Sequence, residues 1–159
     1  MAKEITIYSD GASRGNPGPG GYGVVLLSGT HRKELSAGYK CTTNNRMELL
    51  GVIVGLEAIK LIPADITVIS DSSYVVNAIN KGWVFNWEKK PDFAKKANPD
   101  LWKRFLIIYR KHHITFKWVK GHAGNIYNEV CDKLAVEAAL NTPNLLIDEG
   151  MPKKDKVIF

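Results

Sequence analysis

From its start the chain alternates apolar and polar positions. Ile5 and Ile7 flank Thr6, with Tyr8 beyond, and β-branched and aromatic residues at period two predict a strand over ITIYSDG, Ile5 to Gly11. That strand closes on a carboxylate, Asp10, and a glycine. The following GASRGNPGPGGYG holds six glycines and two prolines in thirteen residues, which predicts a flexible connection. VVLLS and HRKELSAGYK then read as the second and third strands of an antiparallel meander. The glycine-rich stretch lacks the G-x-x-x-x-G-K-[ST] order and opens no helix, so it is not read as a nucleotide-phosphate loop.

The period changes at TTNNRMELLGVIVGLEAIKLIP. Met47, Leu50, Val54 and Ala58 recur at helical spacing, Ile53 and Leu61 widen the stripe, and Pro63 closes the segment. Thr43, Asn44 and Asn45 are all competent N-caps, and Glu48 in the first turn fits a capping or dipole role. ITVISDSSY, Ile66 to Tyr74, repeats the first strand's design by running into Asp71, and a short helix is expected over Tyr74 to Asn80. A helix between two such strands makes a right-handed parallel crossover, which brings both acid-bearing ends to one sheet edge, where open α/β sheets bind ligands.

Asp100 is expected to cap the helix LWKRFLIIYRKHH. The strand ITFKWV runs into KGHAGN, which carries His122, and then into the helix YNEVCDKLAVEAAL. Asp132 lies one position off that helix's apolar stripe, away from any cap. The expected architecture is α/β, with one unit over residues 1–142 and residues 143–159 as a tail that either packs on the sheet or hangs free.

Charge adds one feature. The net charge is +6, yet the stretch Lys81 to Lys120 holds eleven basic residues against three acids. All of the excess therefore lies in that stretch, whose first part, KGWVFNWEKKPDFAKKANPDLWKR, interleaves Lys89, Lys90, Lys95 and Lys96 with Trp83, Phe85, Trp87 and Phe93. Lysines for phosphates and flat rings for sugars or bases are what nucleic-acid binders use; the competing reading makes some of the rings local anchors. Two cysteines, Cys41 and Cys131, are too few for a disulfide framework. No stretch is apolar enough to span a membrane and the N-terminus lacks a signal-peptide pattern, so a cytoplasmic protein is expected.

Asp10, Glu48, Asp71 and Asp132 are thus four acids delivered by separate elements. If they converge, mutual repulsion requires a bound divalent cation, and an oxygen-only donor set suits Mg²⁺ or Mn²⁺ over zinc.

In their order, SDGASRGNPGPGGYG, TTNNRMEL, SDSSYV, the Trp and Lys block, VKGHAG and NEVCDKLA resemble the bacterial ribonuclease HI family, from about Ile5 to Leu140. The resemblance implies a ribonuclease H-like fold: a five-stranded mixed sheet of order 3-2-1-4-5 with strands 1, 4 and 5 parallel. It implies an endonuclease that hydrolyses the RNA strand of RNA/DNA hybrids with two Mg²⁺ ions, Mn²⁺ being a possible substitute, and leaves 3′-hydroxyl and 5′-phosphate ends. Asp10 would bridge the ions, Glu48 and Asp71 would hold the leaving-group side, Asp132 the nucleophile side, and His122 would move protons or help product leave.

For the substrate, the same resemblance implies Asn16, Asn44 and Asn45 at the RNA 2′-hydroxyls, Thr43 and Asn98 in a phosphate pocket, and Tyr74 and Trp83 along the DNA sugar channel. One position departs: Cys41 stands where the family often has an arginine of that pocket. A monomer with no membrane partner is expected. The alternatives are a hybrid-binding protein that has lost catalysis, or a DNA-cutting enzyme of the same fold.

Overall fold

The computed structural model of the protein describes residues 4–90, 98–120 and 125–151. Five strands, β1 (Glu4–Ser13), β2 (Gly18–Ser28), β3 (His31–Thr42), β4 (Asp65–Ser70) and β5 (His113–Trp118), form one mixed sheet. Its order is β3-β2-β1-β4-β5. β2 is antiparallel to both β1 and β3, while β4 is parallel to both β1 and β5, as expected.

Among the described residues five helices accompany the sheet: α1 (Asn44–Glu57), α2 (Ser73–Asn80), α3 (Trp83–Glu88), α4 (Pro99–Tyr109) and α5 (Ile126–Leu140). α1 is buried almost all round, from Met47, Leu49 and Leu50 through Val52, Ile53 and Leu56. It lies between the sheet, through Ile7 and Val24, and α4, so a single amphipathic stripe understates its apolar surface. α5 covers the opposite face.

The glycine-rich connection is sheet rather than loop. β1 continues past Asp10 to Ser13, paired with β2, and only residues 14–17 turn. The glycines serve close packing: a Cβ on Gly11 would collide with the α1 backbone at Met47 and Glu48, and one on Gly23 with the α5 backbone at Cys131. Both helices can therefore lie directly on the sheet.

Other expectations shift. α1 ends at Glu57, short of Pro63, leaving Leu61 half exposed. β4 stops at Ser70, where Ser72 caps α2 by accepting the Val75 N–H. Asp100 does not cap α4; Asn98 is the N-cap residue and Pro99 opens the helix. α4 ends at Tyr109, and His112 is buried beyond it, accepting the Ala64 N–H at Nδ1. Residues 142–151 turn through a short 3₁₀ helix, Thr142–Asn144, and lie along β3, where Leu146 exchanges backbone hydrogen bonds with Gly38 and Lys40.

Candidate metal and substrate site

The parallel pairing of β1 with β4 ends at Ser9 and Ser70. Asp10 and Asp71 are the next residues on each strand, so register alone sets the two carboxylates side by side at the sheet edge. Glu48 enters from α1, whose approach Gly11 permits. Ligand oxygens of Asp10, Glu48 and Asp71 lie within 4.8 Å of one another. Asp132 of α5 is not one of that close group, but its charge bears on Asp10.

Electrostatics at the cluster are unfavourable to charge. Burial, then the Asp71 carboxylate, and less strongly Asp132, push Asp10 up to about 8, against a hydrogen bond from the Gly11 N–H at 2.9 Å that favours the anion. Glu48 is raised well above the ordinary range, first by burial and then by Asp10 and Asp71. Glu48 Oε2 and Asp71 Oδ1 are buried without a hydrogen-bond partner among the described residues. Buried polar atoms are normally paired, and an orphaned pair of carboxylate oxygens facing like charges is the donor set a hard divalent cation satisfies. The residues present fit such an ion. Glu48 makes no capping box: Thr43 caps α1 by accepting the Arg46 N–H at 3.2 Å.

The residues expected at the substrate fall into three places. Asn16 and Asn44 meet at the β1–β2 turn, where Asn16 Oδ1 accepts the Asn44 N–H at 3.3 Å, with Asn45 exposed beside them. Thr43, Tyr74 and Asn98 gather around Arg46. Asn98 Oδ1 accepts from the Arg46 guanidinium at 3.3 Å, and Tyr74 Oη accepts from Asn98 Nδ2 at 3.1 Å and from the Trp102 indole at 2.9 Å. Trp83 is 42% exposed at the start of α3 beneath the Lys81 ammonium, 5.3 Å from its ring centre. Phe85 and Trp87 instead pack on Tyr109 and Trp102 and are local anchors. Lys89 and Lys90 are exposed. Lys95, Lys96 and His122 lie outside the described residues.

Arg46 went unnoticed in the sequence. It is 3% exposed and donates to Asp100 at 2.7 and 2.9 Å and to Asp148 at 2.7 and 2.9 Å. Burial works against the Asp148 carboxylate, but hydrogen bonds from Arg46 and Thr42 outweigh it and hold it below the usual range. Asp100 is held low chiefly by its hydrogen bond from Arg46. The only signal was an arginine three and four residues before Leu49 and Leu50, on an apolar face.

The match to the family model for RNase H runs over residues 2–140, which takes in Asp10, Glu48, Asp71 and Asp132. The chain belongs to the RNase H family. It is 56% identical to the ribonuclease H of Syntrophus aciditrophicus over 154 residues, covering 94% of this chain and 88% of that one. To the ribonuclease HI of Synechocystis sp. it is 51% identical, covering 94% and 95%.

Among solved structures, LC9-RNase H1, described as a type 1 RNase H with the type 2 active-site motif, superimposes with a TM-score of 0.80 at 30% identity, covering 94% of this chain and 79% of that one. LC11-RNase H1, solved in complex with an RNA/DNA hybrid, gives a TM-score of 0.68 at 27% identity, covering 87% and 99%. The RNase H sheet order and the acid cluster at its parallel edge therefore occur together here.

Proposed function

We propose that this member of the RNase H family is a divalent-metal-dependent endonuclease that hydrolyses the RNA strand of RNA/DNA hybrids, leaving 3′-hydroxyl and 5′-phosphate ends. The observation that carries the reading is the convergence of Asp10, Glu48 and Asp71 with two of their buried oxygens unpartnered among the described residues. Asp10, Glu48, Asp71 and Asp132 would hold Mg²⁺, or Mn²⁺ in its place. When bound, the ions supply Lewis acidity for water activation and for the departing 3′ oxygen.

Burial and mutual repulsion raise both Asp10 and Glu48, and a bound cation would offset that repulsion and favour their ionised forms. Asn16, Asn44 and Asn45 hydrogen-bond the 2′-hydroxyls that distinguish RNA from DNA. Thr43 and Asn98, the latter steadied by Arg46 and Tyr74, take a phosphate of the DNA strand. Trp83 and Tyr74 border its sugar, and Lys89, Lys90, Lys95 and Lys96 add phosphate contacts. With Cys41 in the pocket there is no bidentate donor at that position, which shifts DNA-strand affinity toward the basic block. His122 carries protons or assists product release. Residues 1–142 form the catalytic unit and 143–159 its extension, in a cytoplasmic monomer.

Incubating a hybrid labelled in its RNA strand with protein and Mg²⁺ tests the reading. Shortened RNA with an intact DNA strand is expected. Binding without shortening marks an inactive hybrid-binding protein, and cleavage of duplex DNA at a matching rate marks a DNA nuclease; either result overturns the proposal.

A further inference from the structure

Two peptide planes flank the Asp71 Cα, and the last residue of β5 and the one after it each hold one of them. The Ser70 carbonyl accepts the Val119 N–H at 3.0 Å, and the Asp71 carbonyl accepts the Trp118 indole N–H at 3.0 Å. The plane between Asp71 and Ser72 has one further tie, from the Ser72 N–H to Ser70 Oγ at 3.1 Å. With both planes held, the backbone dihedrals of Asp71 are restrained, and with them the direction of the Cα–Cβ bond that carries its carboxylate, whose Oδ1 is buried without a partner among the described residues.

Trp118 is 53% exposed, so burying its ring explains little of why so large a side chain ends β5. Its indole is a donor only, and the hydrogen bond it makes goes to the junction that carries Asp71. The register pairing of Ser70 with Trp118 puts the ring there.

We propose that Trp118 is a positioning residue for the metal site: its indole N–H locks the β4–α2 junction and thereby sets the Asp71 carboxylate to receive a cation. The inference rests on the reading of Asp10, Glu48 and Asp71 as metal ligands. Outer partners of metal ligands commonly tune affinity in this way. Because Trp118 acts through the backbone, and Ser70 Oγ still holds the same plane, its loss weakens the site without abolishing it. Water replaces the donor on the exposed side, so the fold is retained.

Mn²⁺ binding to the nucleic-acid-free protein, followed by electron paramagnetic resonance, is the test. Trp118→Phe keeps an aromatic ring and removes the donor. The expected result is a Kd for Mn²⁺ about five-fold higher than the parent's, the factor that one lost hydrogen bond of about 1 kcal/mol produces at about 1.4 kcal/mol per decade. Hybrid affinity in EDTA should be unchanged, and cleavage should recover at higher Mn²⁺. If Trp118→Phe folds poorly, β-(3-benzothienyl)alanine at position 118, which keeps the ring shape without the N–H, carries the same expectation. Mn²⁺ affinity equal to the parent's in a folded variant overturns the positioning role alone. Failure of the parent itself to bind Mn²⁺ overturns the metal reading and this inference with it, whereas a parent that binds and loses binding on Asp71→Asn leaves the metal reading standing.

Discussion

Replacing Asp10 with asparagine removes one charge from a cluster whose oxygens lie within 4.8 Å of one another, and the metal-free protein should become more stable at high pH. Burial and Asp71 lift Asp10 from 3.8 to about 8, so the folded chain binds this proton more tightly than the unfolded one. By linkage, the parent has its full stability below the unfolded value near 4 and loses it as pH rises toward about 8. At about 1.36 kcal/mol for each pH unit of displacement the ceiling is about 5–6 kcal/mol. Relaxation and water entry at a strand end bring this to about 3 kcal/mol, or about 6–12 °C in Tm for a chain of this size. The substituted amide carries no such proton, so the advantage of Asp10→Asn should be large at about pH 8 and small at about pH 4. Thermal unfolding in EDTA at both values measures it, and adding Mn²⁺ should stabilise the parent far more than the variant. Equal Tm for the two proteins at the higher pH, or a gain independent of pH, would refute the electrostatic account.

Asp148→Ala leaves Arg46 buried with one acid instead of two and should cost about 3 kcal/mol in urea unfolding; because Asp100 and Asp148 titrate low, the stability they contribute is present above about pH 4 and lost below it, and this variant should show a shallower acid limb. Gly23→Ala drives a methyl group into the α5 backbone and should destabilise by about 1–3 kcal/mol, read as a lower Tm; an unchanged Tm would mean that α5 can shift freely. Replacing Lys89, Lys90, Lys95 and Lys96 together should raise the hybrid KM and flatten its log–log salt dependence by up to about four units, and an unchanged slope would make them solvated bystanders. Asn98→Ala should raise KM with little change in kcat, since it removes a positioned phosphate contact away from the acids.

The antiparallel meander and the parallel crossover from β1 to β4 were legible because strand and helix periods alternate cleanly and such a crossover has one favoured hand, whereas the full sheet order came only with the family resemblance. Asp10 and Asp71 could be read for the same reason, as each follows an aliphatic alternation directly. Glu48 was harder: an acid near a helix start is usually dipole chemistry, and only the approach of α1 over Gly11 turns it inward. The glycines of residues 11–23 misled because strand glycines demanded by a close-packed helix have the same composition as a loop. Arg46 and Asp148 stand 102 positions apart, and no local pattern announces a pair at that separation. Trp118 was read as part of a strand, and only the folded chain aims its indole at Asp71.

The central claim is that the acids at the β1–β4 edge form a cation site that serves RNA hydrolysis. Anomalous diffraction from crystals grown with Mn²⁺ and an RNA/DNA hybrid tests it most directly. The account predicts Mn²⁺ peaks bonded to carboxylate oxygens of Asp10, Glu48 and Asp71, beside a phosphate of the RNA strand. Hybrid bound elsewhere, or Mn²⁺ absent from these carboxylates while the hybrid is bound, would contradict it.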